Sequence, residues 1–96
     1  MKVRWHPDAK ADLSDIISYI GGDNLTAAFK QADRIQAAAA SLARFPRMGR
    51  EGRKPGTREL TVPQTPYLIV YHVLDDHLEV LMVVHGARAW PPHRLS

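Results

Sequence analysis

The sequence predicts a small α+β domain. An N-terminal strand and a helical hairpin pack on a small, twisted antiparallel sheet, in the order β-α-α-β-β-β. Three observations carry this expectation. Apolar residues recur at helical spacing twice in the first half, at Ala9, Leu13, Ile16, Ile17 and Ile20 and again from Ala28 to Phe45. Only Gly21-Gly22-Asp23-Asn24 separates those patterns, which suits an antiparallel pair of helices. The second half then changes to runs rich in aromatic and β-branched residues.

Taken in order, Val3, Arg4 and Trp5 suggest a short first strand, ended by His6-Pro7. Pro7 fits the first turn of a helix, where its missing N–H leaves nothing unpaired, and Asp8 favours the positive helix end. Gly21-Gly22 stops this helix, and Asp23 or Asn24 caps the next. The second helix has its buried stripe at Ala28, Phe29, Ala32, Ile35, Ala39, Leu42 and Phe45, and Pro46 ends it. Arg47 to Gly56 carries Gly49, Gly52 and Pro55 and reads as loop. Arg58 to Val62 reads as a strand broken by Pro63 and Pro66. Tyr67 to Leu74 is the next strand, Asp75-Asp76 a tight turn, and Leu78 to His85 the last. Both of these later strands are apolar at nearly every position, which suits central strands covered on both faces.

A length of 96 residues makes one domain over residues 1–96, with a short C-terminal tail from about residue 86. No apolar run approaches a membrane span and no signal-like segment follows Met1-Lys2-Val3-Arg4, so no membrane is expected and the expected location is the cytoplasm. The absence of cysteine removes disulfides, thiol nucleophiles and cysteine-rich zinc sites. The net charge of +3 is unevenly placed. Arg44, Arg47, Arg50, Arg53, Lys54 and Arg58 face only Glu51 in the same stretch, a field that favours an anionic partner, nucleic acid or acidic polypeptide. A solvated loop explains such a run as well, and beyond Phe45 no aromatic residue is interleaved to stack on bases.

The histidines His6, His72, His77, His85 and His93 lack metal-ligand spacing, so no metal and no cofactor are expected. Ser14, Ser18 and Ser41 lie within helical segments, without the strained turn of an activated nucleophile. A metal-free ribonuclease remains chemically possible. His85 is suited to acid–base work near neutral pH, Arg88 to holding a phosphate, and Arg58 and Glu59 to completing the set. The alternative is that His85-Gly86 ends a strand and that Arg88 and Trp90 fold back over its edge.

The segments Phe45-Pro46-Arg47-Met48-Gly49-Arg50, Arg58-Glu59-Leu60 with Pro66-Tyr67, Val70-Tyr71-His72-Val73 and Val84-His85-Gly86-Ala87-Arg88-Ala89-Trp90-Pro91 carry a further signal. Together they resemble the RelE/ParE superfamily of bacterial toxins from type II toxin–antitoxin pairs, over essentially the whole chain. The resemblance implies the same fold. It also poses a choice, because some members cut mRNA on the ribosome and others poison DNA gyrase. RelE-type nucleases carry basic residues along the first meander strand, where this chain has Glu59 and Thr61. They also have an arginine just before the Val-Tyr pair, where this chain has Leu68. Arg88 matches the arginine near the last strand's end, but the acid–base tyrosine that follows it in the family is not evident.

The chain therefore resembles the ParE branch, which implies a non-enzymatic toxin that arrests growth by binding DNA gyrase and takes part in plasmid maintenance. The resemblance implies His85, Arg88 and Trp90 as target contacts; Trp90 suits equally a cap over the open end of the core. It also implies a cognate antitoxin that wraps the sheet and hairpin, with Arg47, Arg50, Arg53 and Arg58 as its contacts. Operator DNA would be reached only through the antitoxin. The alternative is a RelE-like, ribosome-dependent mRNA endonuclease using His85, Arg88, Arg58 and Glu59. A third class keeps antitoxin binding and has lost toxicity.

Overall fold

The structure is a computed structural model and describes residues 1–86. In chain order it contains β1 (Lys2–Trp5), α1 (Pro7–Gly21), α2 (Leu25–Ser41), β2 (Arg50–Glu51), β3 (Arg58–Thr61), β4 (Tyr67–Val73) and β5 (His77–His85). The strands form one sheet in the order β1-β5-β4-β3-β2.

Local chemistry sets the helix ends. His6 caps α1, its Nδ1 accepting the Asp8 N–H at 3.0 Å, with Pro7 in the first turn. Asn24 rather than Asp23 caps α2, Oδ1 accepting the Ala27 N–H at 3.0 Å. At the other end α2 stops at Ser41, and a turn carries the chain to Pro46. The helical stripe does not extend through that turn, so Phe45 is exposed rather than buried. Phe29 is also exposed, because it stands one residue off the buried line Ala28–Ala32–Ile35–Ala39–Leu42 and a helix turns about 100° per residue.

The meander of β3, β4 and β5 is antiparallel, as expected, with Glu59 opposite Val70 and Tyr67 opposite His85. The whole sheet is mixed, however. β1 pairs parallel with β5, from Lys2 opposite His77 to Trp5 opposite Val80. Successive antiparallel reversals from β2 onward leave β5 running in the same direction as β1, which no single strand's composition reveals. A second correction is β2: Arg50–Glu51, within the stretch read as loop, pairs with β3. Two residues are too few to display a strand's alternation.

A bulge at the Val70/Tyr71 register shift sets Val70 opposite Met82 but Tyr71 opposite Val80, leaving Leu81 as the extra residue. The bulge explains why β5 is apolar almost throughout. Leu78, Val80 and Val83 join the helix-side core with Ala9, Ile35, Leu42, Ile69 and Tyr71. Met82 and Val84 join Leu68 and Val70 on the opposite face. Burying each Val, Leu, Ile or Met side chain of these clusters stabilises the fold by roughly 1.5–3 kcal/mol. Among the described residues no helix is long and apolar enough to cross a membrane.

Candidate functional site

Two polar regions lie at opposite ends of the sheet. The first is the basic segment between α2 and β3. At its centre is Glu59, only 3% exposed although it is a carboxylate on a short strand. Its Oε1 accepts a hydrogen bond from Arg50 Nη2 at 2.9 Å, across the β2–β3 pair. Its Oε2 accepts the Arg53 backbone N–H at 3.0 Å, with Arg53 Nε at 3.7 Å. Burial by itself would raise the Glu59 pKa. The hydrogen bonds from Arg50 and the Arg53 N–H, together with both guanidinium charges, outweigh it and hold the carboxyl below its ordinary value.

The rest of the segment is tied down from below. Arg58 Nη1 donates to the carbonyls of Gly49 at 2.8 Å and Arg47 at 3.4 Å. The buried Tyr71 hydroxyl accepts the Gly49 N–H and donates to the Pro46 carbonyl, both at 2.9 Å. Burial raises the Tyr71 pKa against the lowering effects of the Gly49 N–H and Arg58, so the hydroxyl remains a donor at neutral pH. The Gly52 N–H donates to the Thr57 carbonyl at 2.8 Å, and Gly56 takes φ +82° to close the turn. Beside these bonds lies a cavity of about 530 Å³, open to solvent, lined by Arg47, Arg53, Lys54 and Arg58, with Glu51 and Val73.

The second region is the C-terminal end of β5. His85 packs edge-on against Tyr67 with ring centroids 5.7 Å apart. Both rings line a depression of about 470 Å³ with Asp12, Asp15, Ile16 and Tyr19 of α1. Beyond the stretch covered by β1, the Val83 N–H donates to Asp12 Oδ2 at 3.0 Å, so an α1 carboxylate partners the edge of β5.

The sheet brings together Arg47, Arg50, Arg53, Arg58 and Glu59 but keeps His85 away from them. Arg58 stands opposite Tyr71 and His85 opposite Tyr67, a separation along the strands of roughly 13 Å at about 3.3 Å per residue. Arg88 and Trp90 lie outside the described residues. Other histidines have local partners: His6 caps α1, His72 meets Glu79 at 3.1 Å and His77 meets Asp76 at 2.7 Å. Leu68 lies in the apolar cluster with Val70 and Met82. Sequence reading missed Lys54 as a cavity residue, and it missed Tyr71 and Asp12 as anchors. Lys54 was visible within the charge run; the other two depend on contacts distant in sequence.

An α+β domain of this topology, with a basic turn at one sheet end and a histidine-bearing strand at the other, matches a known group. Residues 3–90 match the family described as the ParE toxin of the type II toxin–antitoxin system parDE. The chain belongs to that family. It is 39% identical over 90 residues to the predicted toxin Y4kP of Sinorhizobium fredii, covering 94% of this chain and 93% of the relative. It is 38% identical over 87 residues to toxin RelE2 of Caulobacter vibrioides, covering 91% and 97%. Among solved structures, a chain of the chromosomal ParDE system of P. aeruginosa superposes with a TM-score of 0.83 at 24% identity, covering 88% of this chain and 95% of that one. A chain of the RelBE2 toxin–antitoxin complex of Mycobacterium tuberculosis gives a TM-score of 0.54 at 26% identity, with the same coverage.

Proposed function

We propose that this toxin acts by binding DNA gyrase and stalling its DNA-cleaved state, and that a cognate antitoxin neutralises it. The observation that carries the reading is the separation of its polar groups. A metal-free ribonuclease needs a base, an acid and cations around one phosphate. Here Glu59 is enclosed by Arg50 and Arg53, Arg58 is turned to the Gly49 carbonyl, and His85 is at the other end of the sheet. Leu68, where RelE-type nucleases have an arginine, lies in an apolar cluster that cannot stabilise a phosphorane. A surface that binds rather than cleaves needs none of these groups to converge.

The target contacts in this reading are His85 at the end of β5 and, after it in the sequence, Arg88 and Trp90. Arginine and tryptophan are frequent interface anchors. The antitoxin surface is the basic segment with Arg47, Arg50, Arg53 and Arg58, suited to an acidic polypeptide. The ParDE and RelBE2 systems that supply the structural neighbours are toxin–antitoxin pairs, which supports a partner of that kind. The expected result in a coupled transcription–translation extract is intact mRNA, alongside inhibition of gyrase supercoiling in a parallel assay. Ribosome-dependent mRNA cleavage with supercoiling unaffected supports the RelE-type alternative instead, to which the likeness to toxin RelE2 lends weight.

A further inference from the structure

We infer that the turn between β2 and β3 is a preorganised oxyanion cradle that receives an acidic side chain of the antitoxin. Lys54 and Arg58 are the contacts, and Glu59 is the positioning residue. The inference rests on the reading of this chain as an antitoxin-bound toxin and adds where and how the partner's charge is recognised.

The cavity of about 530 Å³ gathers Arg47, Arg53, Lys54 and Arg58 against Glu51. Its walls are fixed without any ligand. Arg58 is held by the Gly49 and Arg47 carbonyls through Nη1 alone, so those bonds do not consume Nε or Nη2. Arg53 is held at Glu59 by its own backbone N–H. The turn that presents Lys54 is closed by the Thr57 N–H donating to the Lys54 carbonyl at 3.1 Å. The Arg58 guanidinium is thereby fixed before binding and the backbone that carries Lys54 is set, so less freedom is lost on binding, which favours affinity. Arg50 has a different part: its Nη2 is given to Glu59, and it does not line the cavity.

The neighbouring surface identifies the partner's class. Arg47 also borders an apolar depression formed with Phe45, Pro46 and Met48, in which Phe45 is 56% and Met48 49% exposed. A polypeptide carrying an acidic residue beside apolar ones matches both surfaces at once. A nucleic-acid backbone would use only the cations, and no aromatic ring lines the cavity to stack on a base.

The test titrates the chain with its cognate antitoxin, recovered from the purified complex, across a range of salt concentrations. Lys54→Glu is the primary variant because the turn uses the Lys54 carbonyl, which the substitution retains. Its affinity is expected to fall roughly ten- to hundredfold, with a shallower salt dependence. Phe45→Ala weakens binding while leaving the salt dependence in place. Glu59→Gln weakens binding several-fold by loosening Arg53, and Arg58→Lys retains part of the affinity that Arg58→Ala loses. An acid-to-lysine substitution in the antitoxin that restores binding to Lys54→Glu alone identifies the seated residue. Folded Lys54→Glu and Arg58→Ala proteins that bind antitoxin with unchanged affinity and salt dependence overturn the cradle, while the toxin–antitoxin reading stands. Failure of the parent chain to bind the antitoxin overturns that reading itself. Salt-dependent binding of a single-stranded oligonucleotide that Lys54→Glu abolishes, with antitoxin affinity unchanged, assigns the cradle to nucleic acid and overturns the inference.

Discussion

Replacing Glu59 by glutamine removes the charge that organises the basic segment while keeping the side chain's shape. The carboxylate makes charge-assisted hydrogen bonds to the Arg50 guanidinium and the Arg53 N–H. Each bond of this kind contributes about 1.5–3 kcal/mol when its partners stay desolvated. Glu59 is buried, but the Arg50 and Arg53 side chains are 64% and 42% exposed, so both arginines regain water once the carboxylate is gone. That relief lowers the expected loss to about 2 kcal/mol, below the roughly 3–5 kcal/mol for breaking a fully buried pair. For a domain of this size 2 kcal/mol corresponds to a fall in Tm of about 8–16 °C. The pH dependence has a definite sign. The folded-state pKa lies below the ordinary value of 4.5, so the stabilisation is present above pH 4.5 and is lost as pH falls through the lowered folded value. Urea unfolding of the parent chain and Glu59→Gln at pH 7 and at successively lower pH reads both quantities. The gap between them should be widest at neutral pH and close in acid. Equal stability at pH 7, or a gap that does not change with pH, refutes the assignment of Glu59 as an ionised clamp.

Three further substitutions probe the anchors. Gly49→Ala places a Cβ 2.6 Å from the Tyr71 hydroxyl oxygen and 2.9 Å from the Glu59 carbonyl, and should destabilise the fold by about 1–3 kcal/mol in urea titration. Tyr71→Phe leaves the Gly49 N–H and the Pro46 carbonyl without their bridge, and is expected to lose about 1–3 kcal/mol in the same assay. Asp12→Ala removes the acceptor of the Val83 N–H, so hydrogen exchange at that amide should accelerate well ahead of its neighbours on β4, with a stability loss of about 1 kcal/mol.

The parts of this fold that were legible in the sequence are those set by local chemistry. Pro7 and Gly21-Gly22 bracket α1, and the alternation of strands with Pro and Asp turns gives β3, β4 and β5. The features that were not legible arise from distant pairing. β1 joins β5 in parallel because of the direction in which the meander returns, which depends on every turn between them. Phe45 and Phe29 look like core by periodicity, but one lies past the end of α2 and the other is one residue off the buried line. At the candidate site, the arginine run was visible as charge. Its division into Arg50 as a partner of Glu59 and Lys54 as a cavity wall depends on the side on which each residue leaves β2 or the turn after it. Glu59 itself reads as an ordinary polar position of a strand until Arg50 is placed across from it.

The most direct test of the gyrase reading incubates the antitoxin-free chain with DNA gyrase, supercoiled plasmid and ATP, then quenches with detergent and protease. Linear DNA that accumulates with the chain and disappears when the antitoxin is added is the predicted result, and Arg88→Ala and Trp90→Ala should diminish it. Unimpaired supercoiling with no linear DNA contradicts the reading for the gyrase used.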